Sequence, residues 1–409
     1  MGGRLSGTRD RLPILLLIPC AIVLTAAFAY VASAAPSPAG YTDFDCFWLS
    51  GRLWDTGQNP YGPAFDQLKA LLYPFGPAPI SLAYPPHFWF VVAPLGWMTR
   101  PAALTIWLIF ELSLLVGGMA LLARVAERRG LGWGAAGLLV LYVSGMTATR
   151  GGLQTAQTSF LIWFGFALAV YGLPRRSDIG VAAGVAILLL KPQVGAVAFT
   201  ALLALPERRR AAWIAVAIVA VASLPALVIG GPIDTVRGFL ANISSYRSIT
   251  YNDPEEMTGV GNLIAIISGR HVSAIALTGV ALILAPTLLG LAARRIDRRQ
   301  EGRRVGLFAS ILLGTIAALV PLHIYDLLVF AAFPIFLWPL GGHMARGCAA
   351  VAMAILWRPE NLRLLIAELW LPHLNAATVA TIGCLALLAA ALLASRPRGA
   401  GAAPDRLIA

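Results

Sequence analysis

Two carboxylates, Asp43 and Asp45, stand two residues apart in TDFDCFWLSGRLWDTGQNPY, residues 42–61. A carboxylate held near a hydroxyl can act as a general base and take its proton as it attacks. Two acids in a loop are also at home in water, so the pair alone leaves the choice open. Lys191 lies in Leu190-Lys191-Pro192-Gln193, inside the apolar run 178–206. An ammonium at that depth in hydrocarbon costs about 2.5–3.5 kcal/mol, so it calls for a carboxylate partner or an anionic ligand. Snorkelling to the interface is the simpler account, but a mid-run lysine has little room for it. His323 and Asp326, in PLHIYDLLVF at 321–330, are three apart and share one face if helical. A helix-capping Asp326 beside an incidental His323 would look the same. Arg150 precedes Gly151-Gly152, with Gln154 and Gln157 following. A proton acceptor together with cations suits an acceptor hydroxyl and a phosphate leaving group, whose charge the cations would stabilise.

The elements that must hold these residues are membrane helices. The chain has 409 residues, 58% hydrophobic and 12% charged, where a soluble domain carries about a quarter charged. Apolar runs of spanning length recur, and hydrocarbon leaves free backbone groups no partner, so the expected fold is all-α, a polytopic bundle of about 10–12 transmembrane helices with juxtamembrane helices on the outer face. Spans are expected at 13–35, 102–124, 131–148, 157–174, 211–231, 271–293, 305–320, 327–342, 345–357 and 376–394. The run 178–206 begins and ends beside basic clusters, so it reads as a hairpin of two short helices broken at Lys191-Pro192. Arginines cluster at 128–129, 175–176, 208–210 and 294–304. That is the pattern of inner loops, and it places both termini, with the tail 395–409, in the cytoplasm. The outer segments are then 36–100, 232–270 and 358–375. Ala32-Ser33-Ala34 resembles a signal-peptide cleavage site, but its apolar run is long for one. The formal charge of +12 is thus explained without nucleic acid, which would need a continuous basic patch interleaved with aromatics. Four cysteines and five histidines show no disulfide or zinc spacing. Glu111, inside a span, reads as a structural hydrogen bond to a neighbouring helix. Tyr84-Pro85-Pro86-His87 opens an extended entry to Phe88–Met98. That stretch is too short to span and suits an interfacial helix.

The chain resembles glycosyltransferase family 87, within the GT-C membrane glycosyltransferases, over about 13–395. The carriers are DFxxFW at 43–48, Gly57 with Asn59-Pro60-Tyr61, Tyr84-Pro85-Pro86, GLQTAQTSF at 152–160, Leu190-Lys191-Pro192-Gln193, Gly261-Asn262-Leu263 and His323-Ile324-Tyr325-Asp326. Residues 155–159 read TAQTS, where many relatives read GQxN or GQxS. The resemblance implies a single GT-C domain in the inner or plasma membrane. It would move a hexose, mannose first, from a polyprenyl-phosphate sugar to a lipid or glycan acceptor of the cell envelope on the extracytoplasmic face, by an inverting displacement. It makes Asp43 the base, with Asp45 assisting or replacing it. Lys191 and His323 would contact the donor phosphate, with Arg150 beside them. Tyr61, Tyr84, His87, Gln157, Gln193, Asn262, Tyr325 and Asp326 are the candidate substrate contacts. No cofactor or metal is implied; the expected partners are the lipid-linked donor, the acceptor and membrane lipids, not nucleic acid. The competing expectation is a transporter or flippase of a lipid-linked or anionic substrate. Such a protein would pair ionisable residues at mid-membrane and tend to show an internal repeat, and no repeat is visible.

Overall fold

A chain this apolar has to close its backbone hydrogen bonds within its own helices. The computed structural model, which describes residues 43–72, 81–175, 177–246, 252–296, 300–369 and 375–395, does so. The expected span at 13–35, the site at 32–34 and the tail beyond 395 lie outside the described residues.

The order is α1 (Asp43–Asp55), α2 (Pro63–Leu72), a 3-10 turn (Pro86–Phe88), α3 (Trp89–Gly96), α4 (Arg100–Arg128), α5 (Gly132–Gly145), α6 (Thr147–Thr155), α7 (Ser159–Gly172), α8 (Asp178–Leu188) and α9 (Pro192–Leu203). It continues with α10 (Arg209–Gly230), α11 (Pro232–Tyr246), α12 (Val260–Ser268), α13 (Ala274–Arg295), α14 (Glu301–Leu319), a 3-10 stretch (Ile324–Ala332), α15 (Phe333–Leu337), α16 (His343–Trp357), α17 (Pro359–Leu369) and α18 (Ala376–Ala394). Among the described residues no strand forms; Thr258 and Leu322 make an isolated antiparallel bridge. By length and composition α4, α10, α13, α14 and α18 can cross a bilayer, and shorter apolar helices fill the space between them. The fold is an all-α polytopic membrane bundle.

Several stretches differ from the sequence expectation, among them the span expected at 327–342, which is a 3-10 stretch running into the five-residue α15. The segment 36–100, expected as an outer loop with an interfacial helix at 88–98, contains α1 and α2 besides the expected helix, α3. Its Pro and Gly content hid α1, whose Phe44, Phe47, Trp48 and Trp54 are buried. Gly51 of α1 and Gly96 of α3 meet backbone to backbone, so a Cβ at Gly51 would stand 2.3 Å from the Val92 carbonyl oxygen. The run 131–148 is not one helix: extended Met146 (φ −66°, ψ 140°) separates α5 from α6 and so puts Arg150 on a separate short helix. The outer segments 232–270 and 358–375 likewise carry α11, α12 and α17. The run 178–206 forms two short helices, with Lys191 preceding Pro192 at the first position of α9. Gly195 lies against the backbone of Leu188 and Leu189, which only glycine permits at that approach.

Helix contacts rely on small residues and polar anchors, as they do where lipid supplies no hydrophobic drive. Gly165 and Gly184 bring α7 and α8 together. Trp163 of α7 covers Gly118 of α4 and donates its Nε1–H to the Leu115 carbonyl at 3.1 Å.

Candidate active site

Asp43 occupies the first turn of α1, where backbone N–H groups favour a negative charge. One of its oxygens accepts a hydrogen bond from the Gln157 side-chain amide. The other end of that amide is fixed as well. Gln157 Oε1 accepts from the Tyr84 hydroxyl at 3.3 Å, and the same hydroxyl lies 2.9 Å from Thr158 Oγ1. Tyr84 is held from behind by the Tyr61 hydroxyl, which donates to the Tyr84 carbonyl at 2.7 Å. Gln157 follows Ala156, a non-glycine residue in the left-handed region (φ 52°, ψ 48°). Trp107 Nε1–H donates to the Ala156 carbonyl at 3.0 Å and secures that turn. Burial raises the Asp43 pKa above its ordinary 3.8, against the Gln157 hydrogen bond and the Lys191 charge, with Asp45 adding to the rise. A carboxyl shifted this way is a stronger base than an exposed one once it is ionised.

Asp45 is placed quite differently. It is fully buried, and both oxygens meet the Arg100 guanidinium, Oδ1 at 2.5 Å and Oδ2 at 3.0 Å. Arg100 opens α4, so this bidentate pair ties α1 to the start of the longest helix.

Lys191, 7% exposed, donates to Asp326 Oδ1, which also accepts from Ser159 Oγ at 2.9 Å. Its ammonium lies 5.2 Å from the centre of the Tyr325 ring. The 3-10 stretch that carries Tyr325 and Asp326 begins right after His323. His323 Nε2 lies 3.0 Å from Asn252 Oδ1. Burial pushes the His323 pKa down to about 4, assisted by Lys191 and opposed by Asp326. The imidazole is therefore neutral at pH 7 and offers hydrogen bonds rather than charge.

These groups surround a cavity of about 430 Å³. Tyr84, Gln157, Lys191, Gln193, His323, Tyr325 and Asp326 line its polar side, and Asp43 reaches it through Gln157. Its other wall is apolar: Ile275, Thr278, Gly279 and Leu282 form one stripe of α13, facing Ile243 of α11. Among the described lining residues Lys191 is the single permanent cation. Among the described residues, no three His, Cys, Asp or Glu side chains gather as a metal-binding set.

Six candidates stand away from the cavity wall, Asp43 behind Gln157 being the first. Asp45 and Tyr61 act from behind it, as described. His87 is buried beside the Ala186 carbonyl, and burial lowers its pKa to about 4. Asn262 donates to the carbonyls of Glu255 at 2.8 Å and Pro254 at 3.3 Å, which shapes the turn before α12. Arg150 is exposed on α6, whose next residue, Gly151, approaches Tyr325. Sequence reasoning missed Arg100, Thr158, Ser159 and Asn252. Arg100 had a signal: a lone arginine at the span end expected to lie outside, where basic residues are sparse. The other three are ordinary polar residues that only packing brings into the site.

The match to known families covers much of this framework. The chain matches the model of glycosyltransferase family 87 over residues 82–322, a stretch that holds Tyr84, Gln157, Lys191 and Gln193, stops one residue before His323 and leaves out Asp43. No curated protein matches the chain. With more than half of its length inside that match and an all-helical membrane fold around it, the chain belongs to glycosyltransferase family 87, a family of membrane glycosyltransferases.

Proposed function

We propose that the protein transfers a hexose, mannose foremost, from a polyprenyl-phosphate sugar to a lipid or glycan hydroxyl on the extracytoplasmic face. The observation that carries this reading is the two-sided cavity. Lys191 lies on its polar wall with Asp43 held just behind that wall by Gln157, and a largely apolar stripe of α13 forms the other wall. A polyprenyl phosphate has the same division, an anionic head on an apolar tail.

In this mechanism Asp43 takes the acceptor proton while the hydroxyl attacks the anomeric carbon from the side opposite the phosphate, so configuration inverts. Gln157 holds one carboxylate oxygen and leaves the second for the acceptor. Lys191 keeps Asp326 on one of its three N–H donors and has two for the leaving phosphate. His323, neutral, adds a hydrogen bond. General-base help supplies about 10²–10⁴ in rate, and positioning with charge stabilisation the remainder. The reading calls for no metal cofactor. The basic clusters favour the extracytoplasmic side: Arg128 lies at the far end of α4 from Arg100, which holds Asp45.

The break between α8 and α9 beside an ionisable pair would also suit a transporter of anionic lipids, where broken helices line the substrate site. One experiment decides. Purified protein is incubated with a panel of polyprenyl-phosphate sugars and an acceptor lipid extract. Donor consumption with appearance of free polyprenyl phosphate is expected. A donor moved across vesicle membranes with its sugar still attached would establish transport instead.

A further inference from the structure

The end of the bundle opposite Asp43 carries a second polar cavity, of about 650 Å³, lined by Arg124, Glu127, Arg128, Tyr171 and Arg175. The first three belong to the last two turns of α4, Tyr171 to the last turn of α7, and Arg175 to the turn after it. α4 has 29 residues, which at 1.5 Å per residue exceeds the roughly 30 Å hydrocarbon core. With its start tied to Asp45, its final turns emerge among the headgroups of the other leaflet.

Arginines around this end divide into two groups. Arg129 donates to the carbonyls of Gly302 at 2.7 Å, Ile335 at 2.9 Å and Phe336 at 3.0 Å. Arg208 donates to the Leu173 carbonyl at 2.7 Å, and Arg304 pairs with Glu207 at 2.6 Å. Those three bind the fold together. Arg128 and Arg175 instead share one ring, 5.3 and 3.5 Å from the centre of Tyr171, and among the described residues no carboxylate pairs with either. Arg124 reaches Glu127 loosely, at 3.8 Å. Three guanidinium groups and one carboxylate thus share a cavity with two uncompensated positive charges. Like charges gathered this closely repel unless an anion joins them. A phosphate group matches the guanidinium fork in charge and geometry, and tyrosine is a usual resident of the headgroup layer.

We infer that this cavity binds the phosphate headgroup of an anionic phospholipid in the leaflet opposite the active site, with Arg128 and Arg175 as the phosphate clamp and Tyr171 as the platform that sets their spacing. The site is independent of sugar transfer.

The test uses the full chain, purified in detergent and titrated with phosphatidylglycerol, with phosphatidylcholine as the zwitterionic lipid and inorganic phosphate as the soluble anion. Retained lipid is read by native mass spectrometry and protection by thermal melting. Wild type is compared with Arg128→Gln/Arg175→Gln, with Tyr171→Leu, and with Arg209→Gln/Arg210→Gln, which removes the same charge elsewhere near that face. Each arginine near an anionic lipid surface is worth about fivefold in affinity. Phosphatidylglycerol should therefore bind wild type more tightly than phosphatidylcholine does, and weaken by about 25-fold in the first variant. It should weaken to a lesser degree in Tyr171→Leu, and in the distant pair by clearly less than in Arg128→Gln/Arg175→Gln, because in detergent no continuous lipid surface faces those two arginines and only the clamp contacts the phosphate. Equal loss in the distant pair, or wild-type affinity in Arg128→Gln/Arg175→Gln, overturns the proposal. Protection by inorganic phosphate alone, abolished in that same variant, would overturn the lipid assignment and give the clamp to a soluble phosphate.

Discussion

Asp45 has both oxygens on Arg100 and no exposed surface, whereas Asp43 has one oxygen on Gln157 and stays partly exposed. Proximity in sequence made the two look interchangeable; their partners separate them. Burial raises the Asp43 pKa, so the native protein holds that proton more tightly than the unfolded chain does. Its contribution to stability is present at low pH and is lost as pH rises from 3.8 through the native value. Asp43→Asn should therefore lower sugar transfer by about 10²–10⁴-fold while raising the melting temperature at pH 7. The stability gain should shrink as the melt is repeated at pH 4. A variant that melts lower at pH 7 would show that the carboxylate is not under strain. Asp45→Asn should do the reverse: it leaves Arg100 without its charge partner in a buried contact. Arg100 keeps about a third of its side-chain surface, so the cost should be about 2 kcal/mol, below the 3–5 kcal/mol of a fully buried pair. Transfer activity should fall only with the folded fraction, measured by melting and by rate per folded molecule.

Helix ends, more than helix centres, place the reacting groups. Asp43 opens α1, Arg100 opens α4, Lys191 precedes α9 and Gln157 sits in the turn between α6 and α7. Each depends on a short backbone feature that hydropathy does not register. The turn at Ala156 is the clearest. The resembled motif has glycine there, and this chain has alanine in a left-handed conformation. Such a conformation costs an L-residue roughly 1–2 kcal/mol. Trp107 Nε1–H on the Ala156 carbonyl, and the Tyr84 hydroxyl on Gln157, hold the turn in place. Ala156→Gly should relieve that strain but also free the unfolded backbone by about 0.5–1 kcal/mol. The net expectation is a gain of about 0.5 kcal/mol, read as a melting temperature higher by a degree or two, with transfer retained. A lower melting temperature would mean that the methyl group's packing outweighs the strain.

Across the whole molecule, the all-helical class, the two-part run at 178–206 and most of the polar residues lining the cavity were legible, because apolar run length and isolated ionisable residues report directly on burial. Lys191 stood out because proline follows it inside an apolar run. The break at Met146 did not, since an apolar sequence reads the same whether its helix is continuous or kinked. Nor did the pairing of Lys191 with Asp326, 135 positions apart, which packing alone decides. That pairing changes the electrostatic argument. Lys191 meets an incoming phosphate already balanced by a carboxylate, and His323 meets it neutral. The pair also holds α9 to the 3-10 stretch, so loss of activity in a lysine variant could be mere loss of structure. The two roles separate in a double variant. Lys191→Met strands a buried carboxylate supported by Ser159, at about 3–5 kcal/mol. Lys191→Met/Asp326→Leu removes both charges, and an apolar replacement of a buried pair is often neutral or better. Thermal melting should therefore recover in the double variant, to near the wild-type value. Sugar transfer should not recover, because the donor phosphate has lost its cation, and the rate per folded molecule should remain reduced by at least tenfold, about 1.4 kcal/mol of transition-state stabilisation. Activity that returns together with stability would assign the lysine to the fold alone.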